Sequence, residues 1–184
     1  MPGIVLHQMK AVYWPVYKSG STLLKRHFAQ ILGMGEFPGM LIHSAPFEKT
    51  DGTIPDYEDF SFVRNPYVRL YSLWCHKVMD SNYPFDPNVF GGLEGLIVPG
   101  MPFIDFSYTV LFQKKRLDPH WTAQVTQMPV ECRTFQIELS PLRFLFPQDN
   151  HNLKGLWQTA YNDALLGFVR NYYKKDFIRF GYAK

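Results

Sequence analysis

Between Ala11 and Phe28 the chain reads AVYWPV-YKSGST-LLKRHF. An apolar, β-prone stretch enters a short polar turn, and the turn enters a segment with helical spacing. Lys18 brings a positive charge to the turn and Gly20 permits a tight backbone. Ser19, Ser21 and Thr22 place hydroxyls beside the unsatisfied N–H groups of a helix start. Such a cradle suits a bound phosphate or sulfate. The same residues also serve as ordinary helix caps. Further along, Phe62-Val63-Arg64-Asn65-Pro66 leads through Arg69 to Ser72. The Arg64 guanidinium and the Ser72 hydroxyl, two turns into the next helix, could hold one anion together.

These residue types exclude the usual ATP-type loop. That loop is GxxxxGK[ST], with Lys after the last Gly. Here Lys18 precedes Gly20, and no earlier Gly completes the pattern. A magnesium enzyme would also offer a carboxylate at the end of a nearby strand, whereas the strand Phe60-Ser61-Phe62-Val63 ends on Arg64. A phosphorylated ligand held without metal is the expectation.

Elements must position these groups. Met9 to Val16 reads as a strand, Thr22 to Leu32 as a helix, and Gly39 to His43 as a second strand. Glu48 to Asp59 reads as a loop and Phe60 to Val63 as a third strand. Pro66 suits the first position of a helix that runs from Val68 to Met79. This order predicts an α/β fold, a P-loop-type layered domain with a mainly parallel central sheet flanked by helices. Ligands of such sheets sit at the carboxyl ends of the strands, where Lys18, His43 and Arg64 are all expected. Ser81 to Pro102, rich in Pro, Gly and Asn, reads as a substrate loop. A helix is expected from Phe103 to Lys115, a loop from Asp118 and a strand from Arg133 to Ile137. The final helix is capped by Asn162, with an inward stripe running from Leu165 to Phe180.

At 184 residues the chain fits a single domain, 1–184, with room for a sizeable core. Its hydrophobic fraction of 46% and charged fraction of 19% exclude a disordered chain. The net charge of +3 permits an anionic ligand but is too weak to argue for a nucleic-acid surface. The longest basic block is Lys114-Lys115-Arg116, which reads as a solvated helix end. Cys75 and Cys132 form no metal-like spacing. No apolar run is long enough to span a membrane and no leader is visible. The chain therefore reads as cytoplasmic, although a trimmed secretory-pathway enzyme would look the same. The aromatic excess fits an aromatic core, or rings stacked on sugars.

Taken together, the two anion-binding stretches resemble those of sulfotransferases that use 3′-phosphoadenosine 5′-phosphosulfate (PAPS). Tyr17-Lys18-Ser19-Gly20-Ser21-Thr22 is similar to the 5′-phosphosulfate loop, and Arg64-Asn65-Pro66 through Arg69 to Ser72 to the 3′-phosphate motif. Asp118-Pro119-His120-Trp121-Thr122-Ala123-Gln124 and the ending Tyr173 to Tyr182 resemble the carbohydrate branch, sulfotransferase family 2, of chondroitin and HNK-1 type. Tyr17 and Ala123 stand where that branch commonly has Pro. The chain is also shorter than typical Golgi members and lacks their anchor.

The resemblance implies in-line transfer of a sulfuryl group from PAPS to an acceptor hydroxyl, on a carbohydrate, with the bisphosphate PAP as product and no metal. Lys18 would stabilise the leaving oxygen, Ser19, Gly20, Ser21 and Thr22 would hold the phosphosulfate, and Arg64 and Ser72 the 3′-phosphate. Arg69 would lie on the helix surface or support the motif rather than touch the ligand. His43 and His120 compete as general base, with Glu48 a third candidate. Two other readings are a small-molecule P-loop kinase and a non-catalytic nucleotide- or carbohydrate-binding protein on the same fold.

Overall fold

A computed structural model describes residues 1–80, 90, 93, 95–112, 118–140 and 156–183. The basic block Lys114-Lys115-Arg116 and much of the expected loop from Ser81 to Pro102 lie outside the described residues. The chain divides into two compact units, Met1–Arg64 with Gln124–Pro147, and Asn65–Ala123 with Gln148–Lys184.

The first unit holds the sheet. Strands β1 (Gly3–Leu6) and β2 (Ala11–Tyr13) form an antiparallel pair joined by a 3-10 turn at His7–Met9. Lys10 takes a left-handed conformation (φ 47°) to close that turn. Helix α1 (Ser21–Ile31) follows, then β3 (Lys49–Thr50), β4 (Glu58–Val63) and β5 (Arg133–Gln136). The sheet order is β3-β1-β2-β4-β5. β2, β4 and β5 run parallel, whereas β1 pairs antiparallel with both β2 and β3. The expected mainly parallel sheet is therefore a mixed one.

The strand expected at Gly39–His43 is a 3-10 helix, Gly39–Ser44. Gly39 sits at φ 54°, and of the apolar pair that follows Met40, Leu41 is 60% exposed while Ile42 is buried. One buried side chain in two is what a strand offers, but no edge is open beside β2, because β4 pairs there directly. The segment instead lays Ile42 into the core formed by Ile4, Leu6, Tyr13, Leu24, Phe28 and Phe62. Leu24 and Phe28, four apart on α1, present one face to the sheet. Tyr13 packs its ring 5.1 Å from Phe28 and 5.5 Å from Phe60. Here the aromatic excess goes into core.

The second unit is helical. Asn65 caps α2 (Pro66–Trp74) by accepting a hydrogen bond from the Tyr67 N–H, with Pro66 at the first helical position. α2 continues as a π turn, Cys75–Met79, so the expected single helix is irregular in its last turn. α3 spans Phe103–Phe112, α4 Leu156–Ala160, α5 Asp163–Tyr172 and α6 Lys174–Phe180. Asn162 caps α5 through the Leu165 N–H, as the sequence predicts. The long final helix is broken at Tyr173, but the inward stripe survives: Leu165, Val169, Tyr173, Asp176, Phe177 and Phe180 are all buried.

Asp176, in that stripe, lies within electrostatic reach of Arg69. The Arg69 side chain is 1% exposed and donates to the carbonyls of Thr122 and Pro119, both at 2.8 Å. Burial pulls its ionisation downward, and the nearby Tyr173 and Asp176 oppose that. The Tyr173 hydroxyl donates to the Trp121 carbonyl. Arg69 thus fixes the turn at 118–122 and does not lie on the helix surface, one of the two places expected for it. Arg69→Met should lower stability by roughly 3 kcal/mol, because it removes the charge-assisted donor from the buried Thr122 and Pro119 carbonyls. Thermal unfolding would register this as a drop of about 10 °C. Arg69→Lys should rescue little, since one ammonium cannot fork to two carbonyls as a guanidinium does.

Candidate functional site

β2 ends at Tyr13, and Trp14 to Val16 lead buried into the turn at 17–20. Lys18 sits at φ 63° and Gly20 at φ 76°. A left-handed lysine is strained by about 1–2 kcal/mol. Its neighbour Ser19 is fully buried and donates its backbone N–H to the Val16 carbonyl. Gly20 stands at the N-cap of α1, and no side chain caps that helix. The first N–H groups of α1 are thereby presented at the turn, flanked by Ser21 and Thr22. The strand, turn and helix expected from the sequence follow one another here.

Arg64 follows β4 directly and is 8% exposed. Because β2 and β4 are adjacent and parallel, their carboxyl ends lie side by side, with Trp14 N bonded to the Phe60 carbonyl at 2.8 Å. Gln124, on the 3-10 turn Gln124–Thr126, joins the two exits. Its Oε1 accepts from Ser19 Oγ at 3.1 Å and from the Arg64 N–H at 2.9 Å. Its Nε2 donates to the Arg64 carbonyl at 2.8 Å. Gln127 Oε1 accepts the Tyr17 N–H at 3.3 Å.

His43 does not close a strand, yet it reaches the cradle. Its Nε2 lies 3.4 Å from Thr22 Oγ1, and its Nδ1 lies 3.4 Å from Lys25 Nζ. Thr22 and Lys25 are three apart on α1 and so share a face. Burial, and after it the positive charge of Lys49, hold the Lys25 amine below the usual lysine range. Glu48 is turned elsewhere: its carboxylate bonds His7 Nε2 at 2.8 Å, in an exposed pair.

Lys18, Ser19, Gly20, Ser21, Thr22, His43 and Arg64 all belong to the first unit, and Ser72 and His120 to the second. Ser72 is buried on α2. His120 Nδ1 lies 2.7 Å from Asp118 Oδ1, and the same oxygen accepts the His120 backbone N–H at 2.7 Å. Among the described residues no group of His, Cys, Asp or Glu has the arrangement of a metal site. No helix among them is long and apolar enough to cross a membrane.

Two contributors escaped sequence reasoning. Lys25 carried a signal, its spacing of three from Thr22 on a helix. Gln124 carried only its place at the end of the run Asp118–Gln124.

A family model described as "Sulfotransferase family" matches residues 3–133, well over half of the chain. The match includes the turn at 17–22, the stretch from Arg64 to Ser72 and the run ending at Gln124, and stops before the last three helices. No curated protein and no solved structure matches the chain.

Proposed function

The chain belongs to the sulfotransferase family, and from that premise we propose that it moves a sulfuryl group from PAPS to a hydroxyl of a carbohydrate acceptor. The observation that carries this reading is the turn at 17–20: a cationic left-handed lysine and a left-handed glycine open an α-helix that no side chain caps. The N–H groups at that helix start, with the hydroxyls of Ser19, Ser21 and Thr22, suit the 5′-phosphosulfate. Arg64, at the neighbouring strand exit, supplies charge for the 3′-phosphate.

In the transfer, the acceptor oxygen forms a bond to sulfur as the bond from sulfur to the bridging phosphate oxygen breaks. The acceptor's proton passes to His43, and PAP leaves with the electron pair on its 5′-phosphate. Lys18 stabilises the charge that grows on that oxygen. Most of the acceleration comes from positioning and fixed charge, as in phosphoryl transfer.

Calorimetric titration with PAP in the presence of EDTA tests the reading, alongside a transfer assay with radiolabelled PAPS and a panel of sugars. Saturable, chelator-insensitive binding and label transfer are expected. Magnesium-dependent ATP turnover would support a kinase instead, and binding without transfer to any acceptor a non-catalytic protein. Arg64→Ala should weaken PAP binding by about 10–100-fold, the loss of a charge-assisted contact. An unchanged dissociation constant would remove Arg64 from the 3′-phosphate site.

A further inference from the structure

Gln124 is completely buried, far from where a glutamine ordinarily sits. Burying a carboxamide is unfavourable unless its polar atoms are satisfied. Here they are satisfied by the two segments that matter. Oε1 takes Ser19 Oγ and the Arg64 N–H, and Nε2 meets the Arg64 carbonyl. One planar head thereby ties the middle of the turn at 17–20 to the first residue beyond β4. Gln127, whose N–H donates to the Gln124 carbonyl at 2.9 Å, holds Tyr17 at the entry to the same turn. A buried Ser19 hydroxyl could have been bonded locally, as serines in turns commonly are. It is bonded to a side chain 105 residues away.

We propose that Gln124 is a positioning residue for the donor site. It fixes the spacing between the turn that receives the phosphosulfate and the strand exit from which Arg64 reaches the 3′-phosphate. The proposal rests on the donor reading given above. An amide suits this task because it accepts twice on one atom and donates from the other without charge. A carboxylate of the same shape would bring a negative charge against an anion site and lose the donor.

Gln124→Glu is therefore the informative variant, since its protonated form restores one donor and both acceptor contacts. At pH 8 its PAP dissociation constant should exceed the wild-type value by about 10²-fold, the scale of a small misplacement at a binding site. The ratio should shrink towards unity as the pH is lowered to 6, because burial raises the carboxyl pKa into reach. Amide hydrogen exchange in the ligand-free protein gives a second measurement that needs no nucleotide. Residues 17–22 and 63–65 should exchange faster in Gln124→Glu at pH 8, while the core strands keep their protection. A purely structural glutamine would lower the melting temperature and speed exchange throughout, with no pH-dependent binding ratio. Binding within twofold of wild type at both pH values, or unchanged exchange at residues 17–22, overturns the proposal. If wild-type protein binds no PAP, the donor reading fails. The exchange data then decide alone whether Gln124 tethers the turn to β4. Should Gln124→Glu be unstable at pH 8, Ser19→Ala removes one of the three bonds and should give the same local exchange signature, weaker.

Discussion

Lys18→Ala is expected to reduce sulfuryl transfer by about 10²–10³-fold or more in kcat, the scale seen when one preorganised group facing a developing oxyanion is removed. PAP binding should fall far less, because the N–H groups at the start of α1 and the hydroxyls remain. The backbone at this position provides an internal control. Lys18 lies at φ 63°, where any residue with a Cβ is strained. Lys18→Gly should be more stable than Lys18→Ala by about 1 kcal/mol, and yet equally inactive. Melting temperatures that differ in this sense, with the same low turnover, would assign the loss to charge rather than to a collapsed turn. Lys18→Arg keeps the charge on a wider, planar head and should retain a fraction of the activity. If Lys18→Ala transfers sulfate at the wild-type rate, the leaving oxygen is stabilised by another group and the central assignment fails.

The turn was legible because its signals are local. An apolar run, a Lys-Ser-Gly-Ser-Thr turn and a helical period follow one another within a few residues, and α1 and β2 lie where that order puts them. β4 was legible for the same reason, since an aromatic and β-branched run stops at Arg64-Asn65-Pro66. β1 was not, because Gly3–Leu6 is four buried residues with no alternation to read. Without β1, the antiparallel edge of the sheet could not be foreseen. Gly39–Ser44 failed differently. Its composition suits a strand, but whether a strand forms depends on an open neighbour, and β4 occupies that place. Gln124 marks the limit of local reading. Its partners, Ser19 and Arg64, are 105 and 60 positions away, and nothing near it in sequence shows what it will bond.

The second large effect concerns the base. His43→Ala should lower kcat by about 10²–10⁴-fold, the usual contribution of a positioned proton acceptor, with PAP affinity nearly unchanged. His43 is half-buried on a 3-10 helix whose buried anchor is Ile42, so the fold should survive the change. Its ring stands between Thr22 Oγ1 and Lys25 Nζ. While Lys25 is charged it can only donate, which makes Nδ1 the accepting nitrogen and leaves the ring proton on Nε2, facing the Thr22 hydroxyl. In that state the basic lone pair is on the Lys25 side, and the acceptor hydroxyl should approach there and displace the long Lys25 contact. His120 offers the competing case. Its Nδ1 is already engaged by Asp118 at 2.7 Å, and the same carboxylate oxygen pins its backbone. That is the geometry of a histidine closing a turn, so His120→Ala should lose far less turnover than His43→Ala. The comparison is decisive in either direction, because imidazole added to the His43→Ala protein should restore part of the rate if a proton acceptor was removed. A deep loss in His120→Ala together with retained turnover in His43→Ala would move the base to the turn at 118–122.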